Sequence, residues 1–349
     1  MKEYIQLLQT LIQTQSFSKE EEQAADLIRR VLTKKGIAFQ TKKNNTWAKN
    51  KQWEEGLPVI LLNSHVDTVR PVKNWTKDPF GAELDGDCLF GLGSNDAGAS
   101  LVTLLAVFVH FNAQGKLPFN LIYAASAEEE ISGTDGMESL IGDLGPIDLA
   151  IVGEPTQMQM AIAEKGLMVL DCTAHGKAGH AARNEGENAL YKAIDDIRRL
   201  RDYRFGKTSE VLGDVKLSVT QINAGCQHNV VPDECTFVID VRTNEHYSNQ
   251  EVLELVDSLI ESEVNARSFR LNSSGIELDH PIVKRGLELG LSCYGSPTTS
   301  DQAVIPFRSI KIGPGDSARS HTADEYILLS EIEDGFKIYT SLLNGLNIK

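Results

Sequence analysis

The chain has 349 residues, and at roughly 150 residues per domain it points to two domains with ample length for a large core. Against 34 Lys and Arg stand 49 Asp and Glu, a formal net charge of −15 that argues against broad contact with nucleic-acid phosphates or anionic lipid and for a small solute or another protein as partner. Hydrophobic residues at 41% exclude disorder as the main state, and five scattered cysteines without a C-x-x-C pair favour neither a disulfide framework nor a cysteine zinc site, which fits a reducing cytoplasm.

Residues 1–15 carry Tyr4, Ile5, Leu8, Leu11 and Ile12 at helical spacing and lack a signal-peptide pattern. Ser18 and Glu21 read as a capping box ahead of a helix to Lys35, stopped by Gly36. Short apolar runs at 58–63, 119–126 and 148–152 predict strands buried on both faces of an α/β sheet. The nearly apolar stretch 97–111 is too short for a bilayer, where about 20 residues are needed, and reads as a buried helix. From Gly166 the pattern predicts a strand at 167–175, a helix at 187–203, strands at 215–223 and 234–244, a helix at 249–264 and a strand at 268–272. That βαββαβ order predicts a ferredoxin-like unit, residues 166–274, inserted into an α/β domain made of 1–165 and 275–349. A helix at 282–292, a strand at 309–313 and a helix at 330–343 complete the first domain.

Ser64-His65-Val66-Asp67, Glu128-Glu129-Glu130 and Gly153-Glu154-Pro155 each directly follow one of the buried strands, where open α/β sheets bind ligands. Clustered carboxylates there resist ionisation unless a cation accompanies them, so a metal site resolves the conflict. Taken singly, each piece is ordinary: a loop, a helix cap, Asp96 as N-cap of the apolar helix, His321 on a surface loop. The conjunction is what points to metal.

With Gly91-Leu92-Gly93-Ser94-Asn95-Asp96 and His321-Thr322-Ala323-Asp324-Glu325, in that order, these motifs resemble the dizinc aminoacylase and deacetylase family of metallopeptidases over nearly the whole chain. The family includes acetylornithine deacetylase, succinyl-diaminopimelate desuccinylase and glutamate carboxypeptidase. The resemblance implies a zinc-exopeptidase-like catalytic domain holding two zinc ions, for which cobalt can substitute. Asp96 would bridge the ions, with His65 and Glu154 on one and Glu130 and His321 on the other. Asp67 would hydrogen-bond the ring nitrogen of His65 that is not on the metal, and Glu129 would take the proton of the attacking water. Glu128 stands where the family more often has Asp; counting forward to Ser132-Gly133 makes Glu129 the base and Glu130 the ligand. A cis peptide after Asp96 is implied as well.

In the insertion, Gly176-Lys177-Ala178-Gly179-His180 and Asn229-Val230-Val231-Pro232 followed by Arg242 resemble the family's lid and dimerisation domain. They imply that His180 stabilises the tetrahedral oxyanion, often from the neighbouring subunit of a homodimer, and that Asn229 and Arg242 contact substrate. Arg242 suits a carboxylate because its planar fork donates two parallel hydrogen bonds. The plainer reading makes His180 and Asn229 turn residues and Arg242 a solvated strand charge.

The expected function is a cytoplasmic zinc hydrolase of N-acyl amino acids, acting first on N2-acetylornithine to release ornithine and acetate in arginine synthesis. Three alternatives stand beside it. One is deacylation of succinyl-diaminopimelate or of an N-succinyl or N-acetyl-lysine type substrate, where the succinyl forms would need a further cation, for which Lys165, Lys177 or Arg183 are candidates. A dipeptidase or carboxypeptidase would present the same carbonyl and carboxylate to the site. A metal-binding regulatory protein would keep the fold without turnover. Neither a nucleic-acid nor a membrane partner is expected.

Overall fold

The three apolar runs become strands Val59–His65, Asn120–Ser126 and Leu149–Val152, each buried along its whole length. The structure is a computed structural model and describes residues 1–183 and 185–348. Val59–His65 pairs in parallel with Asn120–Ser126 on one side and Leu149–Val152 on the other, and Ser309–Lys311 extends the parallel array beyond Leu149–Val152. Antiparallel strands Asn45–Lys49 and Met160–Glu164 flank these four. Successive side chains of a strand point to opposite faces, so a continuous apolar run needs cover on both. On one face Val59 and Leu61 join Trp47, Ile122, Met137, Leu140 and Leu144. On the other, Ala99–Asn112 packs against Val59–His65 and against the closing helix Leu329–Leu343. Eleven of the fourteen residues of Ala99–Asn112 are buried, so its apolar character serves the core.

The chain divides into two compact units, one made of residues 1–162, 275–294 and 300–349, the other of 163–274 and 295–299. Against the expected bounds, 163–165 and 295–299 belong to the second unit instead of the first. The second unit has strand order Lys216–Ala224, Glu234–Thr243, Gly166–His175, Glu263–Ala266, all antiparallel, which is the ferredoxin-like arrangement. Burial alternates along Gly166–His175 and Glu234–Thr243. Met168, Leu170, Cys172, Phe237, Ile239 and Val241 form the inner face, packed with Ala193 and Leu200 of helix Ala189–Asp202 and Val252 and Val256 of helix Asn249–Leu259.

Local chemistry moved several expected boundaries. Ser18 does not cap the second helix, which runs Glu22–Lys34 with Glu21 at its N-cap and no side-chain cap. The Ser18 hydroxyl instead donates to Asp67 at 2.7 Å, while Glu21 accepts from the backbone N–H groups of Lys19 and Glu128. Helix Ala189–Asp202 starts two residues later than expected because Asn188 caps it through the N–H groups of Leu190 and Tyr191. The helix expected at 249–264 stops at Leu259, and the last strand is Glu263–Ala266, not 268–272. The buried Asp196 carboxylate is the cause: it accepts from the N–H groups of Glu261 and Ser262 and from the Ser262 hydroxyl, turning the chain into the sheet.

Candidate metal centre

His65 ends its strand, and the register His65 to Ser126 and Asn63 to Val152 brings the segments after all three strands to one edge of the sheet. Glu128, Glu129 and Glu130 follow Ser126, and Glu154 follows Val152. Gly153 makes the last placement possible. A Cβ there would meet Leu104 at 2.7 Å and Ser100 at 2.9 Å, so only glycine lets this strand end lie against helix Ala99–Asn112. The Ser64 hydroxyl donates to the Gly153 carbonyl at 2.9 Å and ties the two strand ends together. Asp96 arrives from the turn before the buried helix, and its peptide bond to Ala97 is cis.

The side chains converge. His65 Nε2 lies 3.3 Å from Asp96 Oδ1, 3.7 Å from Glu154 Oε1 and 3.9 Å from Glu129 Oε2. His321 Nε2 lies 3.0 Å from Glu130 Oε2 and 3.5 Å from Asp96 Oδ2. Asp96 thus faces one imidazole with each carboxylate oxygen. Glu129 stands about as near His65 as Glu154 does, so the division into base and ligand rests on motif register, not proximity.

Behind His65, Nδ1 is 2.9 Å from the Asp67 carbonyl and 3.4 Å from its carboxylate. The carboxylate itself accepts from the backbone N–H groups of Glu129 and Glu130, each at 3.1 Å, and from Ser18. Asp67 therefore fixes the glutamate turn as well as the histidine. Burial opposes its charge, but His65, Ser18 and the Glu130 N–H hold its pKa below the usual carboxylate range.

Burial pushes the Glu129 and Glu154 carboxyls well above their ordinary range, and neighbouring carboxylates add to it: Glu154, Asp301 and Glu130 around Glu129, Asp96 and Glu130 around Glu154. Burial works against a charge on His65, yet Asp67, Asp96, Glu129 and Glu154 outweigh it and raise its pKa well above the imidazole value. His321 is raised to about 9, chiefly by its hydrogen bond to Glu130. The donor chemistry fits divalent cations: donor atoms of His65, Asp96 and Glu130, and of His65, Glu129 and Glu154, lie within 4.8 Å of one another in each set. Imidazole and carboxylate in this proportion suit zinc and its first-row neighbours.

Sequence reasoning gave Asp301 and Glu325 no role of their own and made Ser18 a helix cap instead of a partner of Asp67. Asp301 is buried, accepts from the Ser126 hydroxyl at 2.6 Å and has its pKa raised to about 6 by burial. No spacing announces it, because it reaches this sheet edge from a short helical turn, Asp301–Val304, 175 residues beyond Ser126. Glu325 lay inside a quoted motif and its signal was legible.

In the second unit, His180 and Asn229 meet through the short pairing of Gly179–His180 with Val230–Val231, where the Ala181 N–H donates to the Asn229 carbonyl. Both are exposed. Glycine at 176 and 179 has a local reason: Cβ atoms there would meet the carbonyls of Glu187 at 2.1 Å and Glu185 at 2.5 Å. Arg242 is half-buried and its fork is engaged by Asp240, with contacts of 2.9 and 3.1 Å.

Residues 61–345 match the profile of Peptidase family M20/M25/M40. A succinyl-diaminopimelate desuccinylase of Wolbachia pipientis subsp. Culex pipiens is 27% identical over 98% of this chain and 92% of its own. Succinyl-diaminopimelate desuccinylase 2 of Ruegeria sp. is 26% identical over 72% of this chain and 68% of its own. Among solved structures, a dinuclear metal-binding M20 peptidase of Bacillus subtilis superposes with a TM-score of 0.76 at 18% identity, covering 100% of this chain and 99% of that one. An M20 metallo-carboxypeptidase of Sulfolobus solfataricus superposes at 0.75 and 16%, covering 98% and 99%. The chain belongs to peptidase family M20/M25/M40 and is a metal-dependent hydrolase of amide bonds.

Proposed function

We propose that this hydrolase removes the acyl group from the α-amine of an N-acyl amino acid. The observation that supports it most is the convergence of His65, Asp96, Glu129, Glu130, Glu154 and His321 at one sheet edge. His65 and Glu154 would hold one ion, Glu130 and His321 the second, and Asp96 both. When bound, the ions would polarise the amide carbonyl and acidify water.

The protein groups carry the protons. Glu129 takes one from the water that attacks the acyl carbon, then returns it to the amide nitrogen as the C–N bond breaks, leaving a carboxylic acid and a free amine. Its position suits the task, since its carboxylate lies beside His65 in the cluster and its backbone is held in place. Asp67 holds the Glu129 turn through that residue's N–H. In the second unit His180 would donate to the oxyanion, and Asn229 and Arg242 would receive the substrate carboxylate, Arg242 exchanging Asp240 for it. The proposal includes zinc as the native metal, a cytoplasmic enzyme and a homodimer formed through the second unit, with His180 serving the partner's site.

For the substrate, the sequence resemblance favours N2-acetylornithine, with release of acetate and ornithine in arginine synthesis. A second reading is favoured by the relatives named succinyl-diaminopimelate desuccinylases, and would place the enzyme in lysine synthesis. Hydrolysis of acetylornithine, N-succinyl-ornithine, succinyl-diaminopimelate and dipeptides by zinc-reconstituted protein separates them. A kcat/KM ten times higher for a succinyl substrate, about 1.4 kcal/mol in transition-state binding, replaces the acetyl reading with the succinyl one. Hydrolysis of dipeptides alone overturns both.

A further inference from the structure

The segment that carries His321 also ends in a carboxylate, Glu325, which is 2% exposed. Its Oε1 accepts the N–H groups of Asn95 and Asp96, both at 2.9 Å, and its Oε2 accepts the Gly93 N–H at 3.2 Å. Its backbone carbonyl accepts the Gly91 N–H at 2.9 Å. Four N–H groups of the Gly91–Asp96 segment thus converge on one residue about 230 positions away. The turn needs this support: Asp96 has φ −113° and ψ 101°, outside helical geometry, so these donors cannot be satisfied by a regular helical ladder. The adjacent Asp324 plays an outward part, accepting from the N–H groups of Thr76 and Lys77 and the Thr76 hydroxyl.

The consequence reaches the metal centre through Asp96. Its two carboxylate oxygens face different imidazoles, His65 at 3.3 Å and His321 at 3.5 Å, so a small rotation of its backbone would misdirect both. Glu325 holds that backbone and lies four residues from His321 in the same segment. We propose that Glu325 is a positioning residue that locks the Gly93–Asp96 turn, keeping Asp96 aimed between His65 and His321 and so setting the affinity for the metal pair. This rests on the reading of Asp96 as the shared ligand. Glutamine cannot replace it: with one oxygen and one NH2 in place of two oxygens, at least one backbone N–H would face a donor.

The test is titration of metal-free wild type, Glu325→Gln, Glu325→Asp and the control Asp324→Asn with Zn2+ and Co2+, with the cobalt absorption spectrum, kcat and KM as further readouts. Glu325→Gln is expected to keep its far-ultraviolet circular dichroism, bind the ions 10 to 100-fold more weakly, shift the cobalt bands and lower kcat with little change in KM. Glu325→Asp should recover part of the affinity. Asp324→Asn should bind metal as wild type does. Wild-type affinity and cobalt spectrum in Glu325→Gln, even with a lower melting temperature, would overturn the proposal. Should Glu325→Gln fail to fold, Glu325→Asp decides: weakened affinity supports the positioning role and wild-type affinity overturns it. A wild type that never binds two ions sinks the metal-pair reading itself, an outcome distinct from a variant that matches an intact wild type.

Discussion

Glu129 meets two demands on a general base, a carboxyl held above its usual pKa by burial and a fixed backbone, since Asp67 anchors its N–H. Glu129→Gln should therefore keep both metal ions and lose roughly 10² to 10⁴ in kcat. If Glu130→Gln instead kept the metals while Glu129→Gln lost one, the register of the triplet would be shifted by one residue. His65, Glu130 and Glu154 were legible in the sequence because their segments follow buried strands whose ends share an edge, while Asp96 and His321, from a turn and a loop, were named only through the motifs of the resemblance. Ser18 and Asp301 were not, because their partners lie 49 and 175 residues away and their burial follows from tertiary packing alone.

At the scale of elements, Asp196 shows where periodicity misleads. Apolar spacing continued the helix past Leu259, but a buried carboxylate satisfies two N–H groups better than another helical turn would, and the strand begins early. Asp196→Ala should strand those donors and destabilise the second unit by about 2–4 kcal/mol in urea unfolding. A loss under about 0.5 kcal/mol would show that Asp196 does not set this boundary. In the first unit, the hydrogen bonds from Arg308 pull the Glu277 pKa down to about 2. A folded pKa below the ordinary 4.5 means that the stabilisation is present above pH 4.5 and is lost as pH falls from there toward 2. Both side chains are more than half exposed, so solvent screening keeps the effect small. Arg308→Gln should lower the urea midpoint slightly at pH 7 and progressively less below pH 4.5; a loss independent of pH would assign it to packing.

For the whole molecule, the βαββαβ order was legible because each element alternates or repeats at its own period, whereas the assignment of 295–299 to the second unit was not, since it depends on contacts rather than pattern. If the second unit mediates a homodimer and His180 serves the partner's site, mixing inactive His180→Ala with inactive Glu129→Gln should restore part of the activity in heterodimers. No recovery after proven subunit exchange would place His180 in its own chain's site or outside catalysis. Everything proposed for the chemistry depends on two ions held by His65, Asp96, Glu130, Glu154 and His321. The direct measurement is the zinc content of saturated, dialysed protein by elemental analysis. The account predicts two zinc ions per chain, and a maximum of one would contradict it.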